Sequence, residues 1–68
     1  MTTYGVMITF GTQSYSFHVS TVDKVRELFQ GLTESVDSFD VQAEYAGTIR
    51  PLSYREVREI IEGQYAAA

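Results

Sequence analysis

The chain opens on an alternation. Tyr4, Val6, Ile8 and Phe10 occupy every second position of the first apolar segment, which is the spacing of one face of a strand. After Gly11-Thr12, residues Tyr15, Phe17 and Val19 point one way while Ser14, Ser16 and His18 point the other. A two-residue turn at Gly11-Thr12, with glycine first as a type II′ turn prefers, predicts four pairs: Phe10–Gln13, Ile8–Tyr15, Val6–Phe17 and Tyr4–Val19. This register keeps both apolar sets on one side. A three-residue loop would turn one of them to solvent.

The period then changes. Val22, Val25, Phe29 and Leu32 fall at spacings of three, four and three, with Leu28 widening the stripe, so the segment predicts an amphipathic helix. Ser20 or Thr21 supplies its N-cap, Asp23 places negative charge in the first turn, and Gly31 marks its end. Thr33 through Asp37 reads as a connecting loop. Alternation returns with Phe39, Val41, Ala43 and Tyr45 against Ser38, Asp40, Gln42 and Glu44. Ala46-Gly47 predicts a turn. Thr48-Ile49-Arg50 predicts a short fourth strand, which Pro51 confines to an edge because proline has no N–H.

Ser53-Tyr54-Arg55-Glu56 matches a capping box, with Leu52 and Val57 placed for a hydrophobic staple. Tyr54, Val57, Ile60, Ile61 and Tyr65 supply the apolar face of a second helix. Arg55–Glu59 and Arg58–Glu62 are spaced for ion pairs along it, and Ala66-Ala67-Ala68 predicts a frayed end. The order is ββαβ(β)α. One apolar side per strand predicts a single α+β domain over residues 1–68: a small, mostly antiparallel sheet of three to four strands with both helices on one face. The expected core joins Val6, Ile8, Phe17, Val25, Phe29, Val41, Val57 and Ile61.

Composition narrows the chemistry. With 68 residues the core is thin, and with no cysteine and a single histidine there is no disulfide or thiolate zinc site to reinforce it. No metal or other cofactor is expected. At 44% hydrophobic residues the chain is rich enough to fold, yet no apolar run approaches the ~20 residues that span a bilayer. Met1-Thr2-Thr3-Tyr4 lacks the basic start of a secretion signal, so a cytoplasmic location and no membrane association are expected. Nine acids against five bases leave a formal charge of −4. Nucleic-acid affinity comes from lysine and arginine displacing counterions, so direct nucleic-acid binding is not expected. A protein partner with a basic surface is the better electrostatic match.

Candidate catalytic groups are few. His18 lies among Ser14, Ser16 and Ser20, and Asp40 can share its sheet face, so a Ser-His-Asp set is conceivable. Such a set needs a sharply turned nucleophile, a sheltered cleft and oxyanion donors, for which an open sheet face offers little room. A solvent-facing strand is the expectation, with His18 at most a surface contact, and the chain reads as a non-enzyme. No glycine-rich phosphate loop occurs. Exposed aromatics interleaved with bases, the pattern for stacking single strands, are also missing from the predicted strands.

The acids form the more coherent pattern. Glu34, Asp37, Asp40 and Glu44 occupy a stretch with no basic residue between Arg26 and Arg50. Asp40 and Glu44 fall on one strand face about 13 Å apart at ~3.3 Å per residue, too far for a carboxylate dyad or a shared cation. These four acids are the expected contact set for a basic partner. In size, charge and lack of cysteine the chain is similar to small inhibitors carried by phages and mobile elements, anti-CRISPR proteins among them, with no residue-by-residue match. The acidic balance, the missing catalytic constellation and the polar sheet face lead to the expectation of a non-catalytic protein-binding domain, an inhibitor occupying a basic, nucleic-acid-handling site on its target. The alternatives are a structural module acting as a homodimer, through a strand edge or leftover apolar surface such as Tyr65, and a small hydrolase using His18.

Overall fold

The computed structural model describes residues 1–32 and 35–65. Strands β1 (Thr3–Phe10) and β2 (Gln13–Val19) are followed by helix α1 (Val22–Gln30). Strands β3 (Ser38–Tyr45) and β4 (Thr48–Pro51) and helix α2 (Tyr54–Glu62) complete the order ββαββα. The four strands form one antiparallel sheet in the order β2-β1-β3-β4, so β1 and β3 are central and β2 and β4 are the edges. Glu34 and the alanines 66–68 lie outside the described residues.

The hairpin register is the expected one, with Phe10 against Gln13, Ile8 against Tyr15, Val6 against Phe17 and Tyr4 against Val19. Gly11 has φ +57° while Thr12 keeps a negative φ, the signature of a type II′ turn that lets the hairpin keep the sheet's twist. The β3–β4 turn differs. Both Ala46 (φ 52°) and Gly47 (φ 82°) are left-handed, as in a type I′ turn, and the Cβ of Ala46 makes that conformation unfavourable.

Both helices are capped as their sequences require. Thr21 Oγ1 accepts from the Lys24 N–H at 3.2 Å. Ser53 Oγ accepts from the Glu56 N–H at 3.2 Å, while Glu56 returns a carboxylate oxygen to the Ser53 N–H at 3.0 Å. The same carboxylate takes two hydrogen bonds from Arg50, each 3.0 Å, which ties β4 to the start of α2. Arg58 pairs with Glu62 at 3.6 Å. No ion pair joins Arg55 to Glu59 among the described residues.

The buried core is Tyr4, Val6, Ile8, Val25, Val41 and Ile60, drawn from β1, α1, β3 and α2, so both helices cover one face of the sheet. Its membership differs from the expected list in an instructive way. Phe17 has the right parity but belongs to an edge strand and is 39% exposed. Val57 is partly buried against the core, and Phe29 and Ile61 are half-buried at the periphery, Phe29 meeting Phe39 edge-to-face with ring centroids 5.3 Å apart. Tyr4 and Ile60 take the buried places. Tyr54, the first residue of α2, is 81% exposed because it precedes the turn that lies over the sheet.

Two measurements check these local features. Ala46→Asn should stabilise the domain by roughly 0.5–1 kcal/mol in urea titration, since asparagine tolerates the left-handed turn position. Acid should act through Glu56. Its hydrogen bonds from Arg50, and then the Ser53 N–H, hold its carboxyl at about 2 rather than 4.5. A carboxylate depressed in the folded state stabilises it above the unfolded pKa, and that contribution fades as pH falls. The urea midpoint of the parent should therefore decline from pH 4.5 toward 2 more steeply than that of Glu56→Gln.

Candidate functional site

The helices leave the other face of the sheet uncovered. Across it, His18, Gly5, Gln42 and Pro51 form one row of adjacent positions, and Ser16, Met7 and Asp40 form the next. Glu44 lies one step further along, between Thr3 and Ile49. Because Gly5 has no side chain, the face is hollowed there into a shallow depression of about 470 Å³ lined by Met7, Ser16, His18, Asp40, Gln42 and Pro51. A Cβ built on Gly5 would stand 3.9 Å from His18 Nε2 and 4.0 Å from Gln42 Oε1. Both polar ends therefore lean over the floor of the hollow.

His18 and Asp40 share this face, but β1 stands between their strands and no hydrogen bond links them to each other or to a serine among the described residues. The described residues also hold no group of three or more His, Cys, Asp or Glu side chains close enough to bind a metal ion. None of the described helices is long and apolar enough to cross a membrane.

Charge is divided between the two sides of the molecule. Lys24 and Arg26 lie on α1, Arg55 and Arg58 on α2. Arg50 of β4 sits opposite Ala43 and reaches the helical side to bind Glu56. Four bases are matched there: Lys24 by Glu27 at 3.5 Å, Arg26 by Asp23, Arg50 by Glu56 and Arg58 by Glu62. Asp40 and Glu44, both exposed, are the charged residues of the uncovered face, and neither has an ion-pair partner among the described residues.

The four acids singled out from the sequence thus have different positions. Asp40 and Glu44 stand together on the uncovered face. Asp37 lies just before β3, its N–H donating to the Thr9 carbonyl at 2.8 Å and its carboxylate accepting from the Gly11 N–H. It clamps the β1–β2 turn from 26 residues away. Glu34 falls outside the described residues. Two apolar members of the face escaped the sequence reading, Met7 at 48% and Ile49 at 57% exposure. Met7 was legible as an apolar residue at a polar position of the alternation. Ile49 was not, because a strand of four residues is too short to show a period.

A larger concavity, about 890 Å³, lies between β3–β4 and α2 and is lined by Tyr4, Tyr45, Arg50, Glu56, Glu59 and Tyr65 among others. Burial, then the neighbouring Tyr65, raises the pKa of Tyr4, with Arg50 opposing. Its single cation, Arg50, is already engaged on both sides of the Glu56 carboxylate. The uncovered face is therefore the stronger candidate site, with its charge still available to a partner.

The separate roles of these acids can be measured. Asp37→Ala should lower stability by about 1–2 kcal/mol in urea titration, because it removes a charge-assisted hydrogen bond that holds a turn. Asp40→Asn with Glu44→Gln should leave stability within about 0.5 kcal/mol of the parent. Equal losses would show that the open-face acids also support the fold.

Comparison with known proteins adds no relative: no family model, no curated protein and no solved structure matches the chain.

Proposed function

We propose that the domain is a non-catalytic protein-binding module whose uncovered sheet face docks onto a basic surface of another protein. The observation that supports this reading is the segregation of charge. Lysines and arginines are kept to the helical side, while the open face presents Asp40 and Glu44, neither with an ion-pair partner among the described residues. Met7 and Ile49 add apolar contact on the same face, and the hollow over Gly5 gives it relief.

The acids would chiefly steer encounter and select the partner's sign of charge, since exposed charges act more on association rate than on affinity. A groove that handles nucleic acid is a surface of matching sign. A domain seated in it competes with the phosphate backbone, so occupancy alone makes it an inhibitor. The face measures about 15–20 Å across the strands and 25 Å along them at ~4.8 Å per strand and ~3.3 Å per residue. That is smaller than the roughly 800 Å² per partner of a standard stable interface, so a single copy binds through a small footprint.

A titration of the isotopically labelled domain with an oligolysine peptide, followed by NMR, tests the placement. Amide shifts should centre on Asp40, Gln42, Glu44 and Met7 and shrink at high salt as the charges are screened. They should be largely lost in the Asp40→Asn, Glu44→Gln double variant. Shifts centred on Glu59 and Glu62 of the helical side, or a double variant that responds like the parent, would remove the open face as the docking surface.

A further inference from the structure

The two edges of the sheet are built differently. Edge strands invite pairing by another chain, and proteins usually blunt them with short length, charge or proline. β4 follows that rule. It has four residues, carries Arg50 and ends on Pro51. The Leu52 N–H donates to the Val41 carbonyl at 2.9 Å, so alternate β4 residues, Thr48, Arg50 and Leu52, turn their backbone groups toward β3. Pro51 therefore falls at an outward position, where its missing N–H removes a donor from the edge.

β2 has none of these protections. It runs for seven residues, Gln13 to Val19, with no proline, no lysine and no acid. The type II′ turn makes Phe10–Gln13 a hydrogen-bonded pair, so Gln13, Tyr15, Phe17 and Val19 spend their backbone groups on β1. The N–H and C=O groups of Ser14, Ser16 and His18 face outward. Tyr15 and Phe17 remain 47% and 39% exposed beside them.

We infer that β2 is a homodimerisation edge, pairing antiparallel with β2 of a second copy about a two-fold axis at Ser16. This register is the one that matches all seven residues, Gln13 to Val19, end to end. It sets Ser16 against itself and Ser14 against His18, the outward-facing positions, giving about six hydrogen bonds at two per pair. Tyr15 then stands opposite the second copy's Phe17, and the reverse, at non-hydrogen-bonded positions where side chains approach most closely. A groove of about 500 Å³ lined by Phe17, Val19, Leu28 and Leu32, and also by Lys24 and Glu27, adjoins this contact.

The self-matching register favours a second copy as the occupant, and the charge on the strand does not oppose it. The molecule carries −4 overall, yet the strand that would meet its twin carries no acid, and His18 meets Ser14 rather than another histidine. The inference is independent of what the open face binds. It also bears on that face, because the joined sheet, in the order β4-β3-β1-β2-β2-β1-β3-β4, carries two copies of Asp40 and Glu44 on one side, about 24 Å apart at ~4.8 Å per strand.

Sedimentation equilibrium of the full chain from micromolar to millimolar concentration tests the inference. The mass should rise from 7.7 kDa toward twice that value. Ser16→Pro removes an outward donor, a substitution that edge strands tolerate, and should stay at 7.7 kDa throughout with an unchanged circular dichroism spectrum. Amide exchange on the parent chain provides a reading that requires no variant: the Ser14, Ser16 and His18 amides should slow several-fold as concentration rises, while Ile49 on the other edge does not. A constant monomer mass, exchange at Ser16 that ignores concentration, or a folded Ser16→Pro dimer would each overturn the β2 pairing.

Discussion

Tyr4, Val6 and Ile8 project from one side of β1, a strand with neighbours on both edges, and their burial organises the rest of the molecule. The chain has little apolar surface to spend, so both helices must converge on this one face of the sheet. Val25 reaches it from α1 and Ile60 from α2, with Val41 completing the set from β3. No described element covers the opposite face. A sheet solvated on one side is a stable outcome for antiparallel strands, and here it leaves a face hollowed over Gly5 exposed to solvent.

The charges follow the same division. Ion pairs on the helical side are largely solvent-exposed, and pairs of that kind contribute little to stability. Their consequence is chiefly one of placement: bases next to acids along α1 and α2 leave the helical side close to neutral, and the excess negative charge falls largely on β3 and the loop before it. Arg50 and Glu56 do more than balance charge. Their paired hydrogen bonds, together with the Ser53 cap on the same carboxylate, connect the short fourth strand to the helix that follows.

The edges complete this division of labour. β4 is ended by proline and fastened by Arg50, whereas β2 is long, without acid, lysine or arginine, and flanked by partly exposed aromatics. A core assembled on β1 and β3 leaves Tyr15 and Phe17 at its margin, where they are too exposed to add much to folding but well placed to meet another chain. The recognition and the association proposed for this domain would use different groups of the same sheet.

Local rules were enough to determine the elements and their ends. The hairpin register follows from the type II′ turn and period-two alternation, both helix starts from their capping residues, and the marginal fourth strand from Pro51. The same alternation placed Asp40 and Glu44 on the polar side of β3. What the sequence could not determine was that β3 lies beside β1, because parity assigns a residue to a face and says nothing of how much of that face is covered. The order β2-β1-β3-β4 decided it. It put Phe17 on an edge and left it half-exposed, made Tyr4 and Ile60 core, and brought Asp37 across to the Gly11 turn, away from Asp40 and Glu44 on the uncovered face. Burial is set by neighbours distant in the chain, and those are chosen when the sheet assembles.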